Sequence, residues 1–140
     1  MIPYKAINKS DLNQIGQNTM SNFLEMEVTD LGSDFVTMKM PVNSKVHQPM
    51  GLLHGGAVAA LAENVASLAG NLVVQQDGKA CVGLSLNTNH LKSVKKGYVY
   101  ATAKPIHLGR RTQVWEVETR SEDEVLINVS RMTLAVIDKK

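Results

Sequence analysis

His54–Asn71, HGGAVAALAENVASLAGN, is the longest apolar run in the chain and decides the fold. Val58, Leu61, Val65, Leu68 and Leu72 recur at intervals of three and four, which predicts a helix. Its alanines keep that helix thin, so strands can pack closely against it. A helix of about 20 residues spans roughly 30 Å, enough to cross a small sheet. Asp77-Gly78 supplies the closing turn. The same stretch is the one transmembrane candidate, but His54, Glu63, Asn64, Asn71 and Gln75 interrupt it. A carboxylate at the bilayer centre costs about 3 kcal/mol or more. The run is therefore expected to be a buried helix of a soluble, cytoplasmic protein with no membrane partner.

Outward from the helix the chain reads as short strands and turns. Leu24, Met26 and Val28 alternate with Glu25 and Glu27, and Phe35 to Met40 alternates again after the turn cluster Asp30–Asp34. These two runs predict a β-hairpin ended by Pro41. Residues 42–53, VNSKVHQPMGLL, read as a loop feeding the helix, with His47 and Gln48 as candidate binding groups. After the helix, four strands are expected at Ala80–Leu91, Tyr98–His107, Thr112–Arg120 and Val125–Ile137. Short turns join them, which predicts an antiparallel meander. At the N-terminus, residues 1–9 read as an extended arm, and Ser10-Asp11-Leu12-Asn13 offers N-cap residues for a short helix ending near Gly16. A long helix beside about six antiparallel strands is an α+β architecture, and residues 1–140 are expected to form a single domain. The helix has few polar faces, so a second copy of the chain could cover what the sheet leaves bare.

Composition narrows the function. A net charge of +2 is too small to argue for nucleic acid. One cysteine, Cys81, cannot form an internal disulfide, and it reads as a small buried apolar residue. The N-terminal MIPYKAINKSDL has no apolar core of a signal peptide. His47, His54, His90 and His107 lack metal-ligand spacing, so no metal is expected. Gly83-Leu84-Ser85-Leu86-Asn87 lacks the second glycine of a nucleophile elbow, and no nucleotide-binding glycine motif occurs.

The chemistry concentrates on the helix. Glu63 has no polar neighbour from Gly55 to Ala62. Two readings stand: a solvent-facing helix carboxylate, or a carboxylate in an apolar wall, partly desolvated and sharpened as base or nucleophile. Ser67 shares its helix face four residues on, and could hold a water or bond back to its own helix. Gly55 and Gly56 open the helix, where unpaired N–H groups suit a carbonyl oxygen gaining negative charge, or where the glycines merely pack against a strand. His54 lies nine residues before Glu63, about half a turn around and roughly 13 Å along the axis. One helix cannot bring both to the same substrate atom, which points to a site shared between two copies. Lys92, Lys95, Lys96, Lys104, Arg110 and Arg111 form a basic set, either solvated turns or anchors for the phosphates of a nucleotide-bearing substrate.

Gln48-Pro49-x-Gly51-x-x-His54-Gly55-Gly56-Ala57, followed by Glu63 and Ser67, resembles the hotdog-fold acyl-CoA thioesterases. The branch resembled includes the 1,4-dihydroxy-2-naphthoyl-CoA and 4-hydroxybenzoyl-CoA thioesterases. Asn87–His90 and Pro105–Thr112 are similar to that branch too, and the likeness runs from about residue 20 to 137. It implies a hotdog fold, with a long central helix wrapped by the sheet, in homodimers that pair into homotetramers. It implies hydrolysis of an acyl-CoA thioester with Glu63 as nucleophile or base and the Gly55 N–H polarising the carbonyl. Gln48 and His54 would orient that carbonyl from the other subunit, and Ser67 would place the attacking water. Val82, Asn89, His90, Leu91 and Lys92, with Ile106, His107, Leu108, Gly109, Arg110 and Arg111, match the segments that contact the acyl-CoA. Coenzyme A would enter as part of the substrate, with no separate cofactor. Val58 stands where relatives often carry a small hydroxyl residue. Two other readings are a thioesterase acting on acyl-carrier-protein thioesters and a non-catalytic acyl-CoA-binding module. Hotdog dehydratases are a further class, against which the helix-borne Glu63 after His-Gly-Gly favours hydrolysis.

Overall fold

A computed structural model describes residues 1–140. Helices α1 (Lys9–Ile15) and α2 (Met20–Phe23) precede strands β1 (Glu27–Leu31) and β2 (Val36–Pro41). The long helix α3 spans Gly55–Val74. Strands β3 (Lys79–His90), β4 (Tyr98–Leu108), β5 (Thr112–Ser121) and β6 (Leu126–Asp138) follow. All six strands form one antiparallel sheet in the order β1-β2-β4-β5-β6-β3, wrapped around α3. This is the α+β arrangement that the resemblance implies.

One expectation is corrected. The later four strands are not a simple meander: β4, β5 and β6 are, but β3 pairs with β6 rather than with β4. The helix is the reason. From β2 to β3 is four strand spacings, about 19 Å, and a 20-residue helix reaches about 30 Å. So α3 carries the chain across the sheet and leaves β3 at the far edge.

The core lies between α3 and the concave sheet face. Val58, Leu61, Ala62, Val65, Ala66, Ala69, Gly70, Leu72 and Val74 of α3 are buried. They meet Val36, Met38 and Met40 of β2, Val99, Ala101 and Ala103 of β4, Trp115 and Val117 of β5, and Met132 and Leu134 of β6. Gly70 marks a close approach: a Cβ there would stand 2.4 Å from Leu134 Cδ1 and 2.6 Å from Gln113 Oε1. By length and composition α3 could cross a membrane, but 56% of its apolar window is buried in this fold, as expected of a core helix.

The N-terminal third departs from the sequence pattern. Residues 1–9 are not a plain arm: Ile2 is buried at 3% exposure, and Tyr4–Ala6 forms a single 3-10 turn. The cap of α1 is Asn8, whose side chain accepts from the Ser10 N–H, so the helix begins earlier than Ser10-Asp11 suggests. The alternation through Leu24 is broken because Glu25 takes φ +60°, and β1 begins only at Glu27.

A cleft of donors and a carboxylate at a free strand edge

Two separate groups of polar side chains flank α3. The first surrounds its N-terminus. The turn after β3 is tied to β6, with the Leu91 N–H donating to the Ile127 carbonyl at 2.8 Å. The loop before α3 is tied to that turn by the Leu53 N–H on the Val94 carbonyl, also 2.8 Å. Between them opens a cleft of about 370 Å³, lined by Gln48, Gly55, Val58, His90, Leu91 and Lys92 among others. Gln48 Oε1 accepts from the Met50 and Leu52 N–H groups, which leaves its amide NH2 without a partner in the chain. The Gly55 N–H, first of the helix, also makes no bond within the chain. Unpaired donors at a helix start favour developing negative charge. His90 lies over Gly55: a Cβ on Gly55 would stand 2.6 Å from His90 Nε2. Packing and the open donor are therefore both served by this glycine.

His54 is placed otherwise. Its Nδ1 accepts from the Gly56 N–H at 2.8 Å, so the ring caps α3, and it does not line the cleft. The structure thus brings Gln48, Gly55 and His90 together and sets His54 beside them as the helix cap.

The second group runs along the α3 face above β3. Glu63, Ser67 and Asn71 share that face at intervals of four. Asn71 holds the edge strand: its Oδ1 accepts from the Cys81 N–H at 2.9 Å and its Nδ2 donates to the Cys81 carbonyl at 3.2 Å. Glu63 extends over Gly83, where an added Cβ would meet Glu63 Oε1 at 2.7 Å. The β3–β6 register shifts between Gly83 and Ser85. Of the two readings of Glu63, a solvent-facing or a desolvated carboxylate, the single chain shows the first. Ala62 and Ala66 are buried, but Glu63 faces the free sheet edge, is exposed, and makes no ion pair or hydrogen bond. Helix geometry puts it about 12 Å along the axis from Gly55, so the two groups do not meet in one chain.

Beyond Gly83, β3 is an open edge bearing exposed Val82 (45%) and Leu84 (60%). Unpaired apolar strand edges invite another chain. Cys81 is buried and burial pushes its thiol above the usual range, which disfavours the thiolate.

The remaining predicted contact residues scatter. Asn89 points to the opposite sheet face from His90, donating to Asn87 Oδ1 at 2.9 Å. Ile106 and Leu108 are exposed on β4. His107 folds over Gly109 in the β4–β5 turn, where an added Cβ would lie 2.5 Å from its Nε2. The basic set is not one patch. Lys92 lies at the cleft, Lys104 faces Glu116 on the outer sheet face, and Arg110 and Arg111 stand with Lys79 near the chain end. Strand alternation and topology separate residues that the sequence places close.

Sequence reasoning missed Thr88, Asn128 and Ser130, which support His90 from the sheet floor. The signal was present: asparagine is depleted in strands, yet Asn128 stands inside Leu126–Asp138.

Comparison with known proteins agrees with this fold. A Haemophilus influenzae thioesterase of known crystal structure is 44% identical and superposes with a TM-score of 0.94, covering 99% of this chain and 96% of that one. A Pseudomonas aeruginosa thioesterase structure, 38% identical, gives 0.92 over 94% and 95% of the two chains. A 1,4-dihydroxy-2-naphthoyl-CoA hydrolase of Escherichia coli (strain K12) is 42% identical, over 98% of this chain and all of that protein. The sequence model of the Thioesterase superfamily matches residues 50–128, from the loop before α3 into β6. The chain belongs to that superfamily, and its fold is a hotdog thioesterase fold built for hydrolysis.

Proposed function

We propose that the chain hydrolyses an acyl-CoA thioester, with an aromatic acyl group, to the free acid and coenzyme A. The supporting observation is the split of the machinery. Unpaired donors of Gln48 and Gly55 face one cleft, while the unpaired carboxylate of Glu63 stands at the free edge of β3. Each group lacks what the other has. Antiparallel joining of two β3 edges makes a twofold dimer and covers Val82 and Leu84. It carries the His90 end of one strand toward Glu63 of the second copy, giving two shared sites. Paired dimers would form the homotetramer.

In each site the thioester carbonyl oxygen lies among the donors. Glu63 either attacks the carbonyl carbon or takes a proton from a water that attacks it, with Ser67 orienting that water. The new C–O bond forms, the C–S bond breaks, and the thiolate leaves with the electron pair and is then protonated. In the first route water cleaves the resulting anhydride and restores the carboxylate. A thiolate leaves readily, so neither a leaving-group acid nor a metal or cofactor is required. The aromatic acyl group is supported by the full-length likeness to the dihydroxynaphthoyl-CoA hydrolase. Lys92, Arg110 and Arg111 are the candidates for the nucleotide phosphates.

Steady-state turnover of aromatic and aliphatic acyl-CoAs, read by thiol release, tests the reading. Glu63→Gln should lower kcat by about 10²–10⁴-fold with the melting transition unchanged. The proposal is falsified if that variant keeps full turnover. Faster turnover of carrier-protein thioesters than of matched CoA esters would move the substrate class instead.

A further inference from the structure

The floor beneath the α3 N-terminus is polar, although it is buried. Asn128 and Ser130 of β6 are 0% and 1% exposed, and they meet Thr88 and His90 of β3. Asn128 Nδ2 stands 2.8 Å from Thr88 Oγ1 and 3.1 Å from His90 Nδ1. The Ser130 hydroxyl donates to Asn128 Oδ1 at 2.7 Å, and it also stands 2.8 Å from Thr88 Oγ1. Oδ1 of Asn128 faces Ser130, and Nδ2 faces Thr88 and His90. Thr88 Oγ1 accepts from Asn128 Nδ2 and from the Ser130 hydroxyl, which ties the cluster together.

This arrangement fixes the imidazole. A neutral ring that accepts at Nδ1 carries its proton on Nε2. That nitrogen is the one over Gly55, in the cleft that Gln48 also lines. Lys92 is the one other titratable side chain lining the cleft. We propose that Asn128 is a positioning residue that holds His90 as an Nε2–H donor to the thioester carbonyl, beside the Gly55 N–H. The proposal rests on the reading of this cleft as the carbonyl site. A third preorganised donor acts most strongly on the oxygen as it gains charge, so it stabilises the transition state more than bound substrate.

The test uses the intact enzyme and the acyl-CoA it turns over fastest. Long-range 1H–15N correlation spectra read the His90 tautomer directly, and wild type should be protonated on Nε2 alone. Asn128→Asp replaces the amide donor with an acceptor, which draws the proton of neutral His90 to Nδ1. The Nε2 donor then exists only while the ring is cationic. The variant's kcat should match wild type at acid pH and fall about 10²-fold as pH rises through the imidazolium pKa, with KM within about twofold. Wild type should show no such fall.

His90→Gln, whose amide can reach the Nε2 position, should keep at least about tenfold more kcat than His90→Leu. This pair decides the matter if Asn128→Asp does not fold. An Nδ1–H tautomer in wild type overturns the proposal. So does a pH-independent kcat in folded Asn128→Asp, or loss confined to KM in His90→Leu. Failure of every acyl-CoA to turn over would sink the cleft reading itself. Turnover that depends on Glu63 with the wrong tautomer would sink only the role of His90.

Discussion

The two halves of α3 rest on different floors. Over its C-terminal half the inner sheet face is apolar apart from Gln113, which is bonded to Trp115: Trp115, Met132 and Leu134 are fully buried, and Gly70 lets the backbone settle onto Leu134. Under its first turns the same strands present Thr119, Asn128 and Ser130, equally buried but polar. Register sets them side by side, Thr119 against Asn128 and Val117 against Ser130. Thr119 Oγ1 has no hydrogen-bond partner. Buried polar groups cost free energy unless paired. The polar half holds the hydrogen-bonded cluster around His90, while the apolar half anchors the helix.

The comparison can be broken on either side. The largest effect after loss of Glu63 is expected where the carboxylate meets β3. Gly83→Ala puts a methyl group 2.7 Å from Glu63 Oε1. A displacement of about 1 Å costs on the order of 10²-fold in kcat. Thiol-release kinetics should show that loss while the thermal transition moves little. On the apolar floor, Gly70→Ala should do the reverse. Overpacking against Leu134 and Gln113 should cost about 1–3 kcal/mol in denaturant titration, with the per-folded-molecule kcat retained. Trp115→Phe is expected to cost a similar or smaller amount. It removes the indole N–H that Gln113 Oε1 accepts at 2.9 Å and leaves a buried oxygen unpaired, about 1–3 kcal/mol. A Trp115→Phe protein as stable as wild type would show that the apolar floor tolerates an unpaired group.

The smallest effect lies far from both floors. The Lys45 ammonium, 2.9 Å from Glu25, holds that carboxyl below its usual range. Because the folded value is depressed, the contribution is present above the unfolded carboxylate range and is lost as pH falls through the folded one. Lys45→Ala should therefore narrow the stability difference between neutral and acid pH slightly. Equal acid profiles for the two proteins would show that solvent screens the pair completely.

Much of this was legible in the chain itself. The spacing of Val58, Leu61, Val65, Leu68 and Leu72, with the glycines before and Asp77-Gly78 after, determines the central helix, because local periodicity and turn chemistry suffice for it. The turn at residues 109–111 and the alternation of β4 and β5 are local in the same way. Half a helical turn between His54 and Glu63 already set the two apart on the helix. Only the tertiary structure decided that β3 joins β6, that Asn89 and His90 serve opposite faces, and that Asn128 reaches His90 from 38 residues away. Sheet neighbours are chosen by where α3 sets the chain down, and a polar residue inside a strand has no local partner to announce its purpose. The same holds for Glu63. Its sequence neighbours left a buried and a solvent-facing carboxylate both open, and the helix turns it to the free edge, where it is exposed.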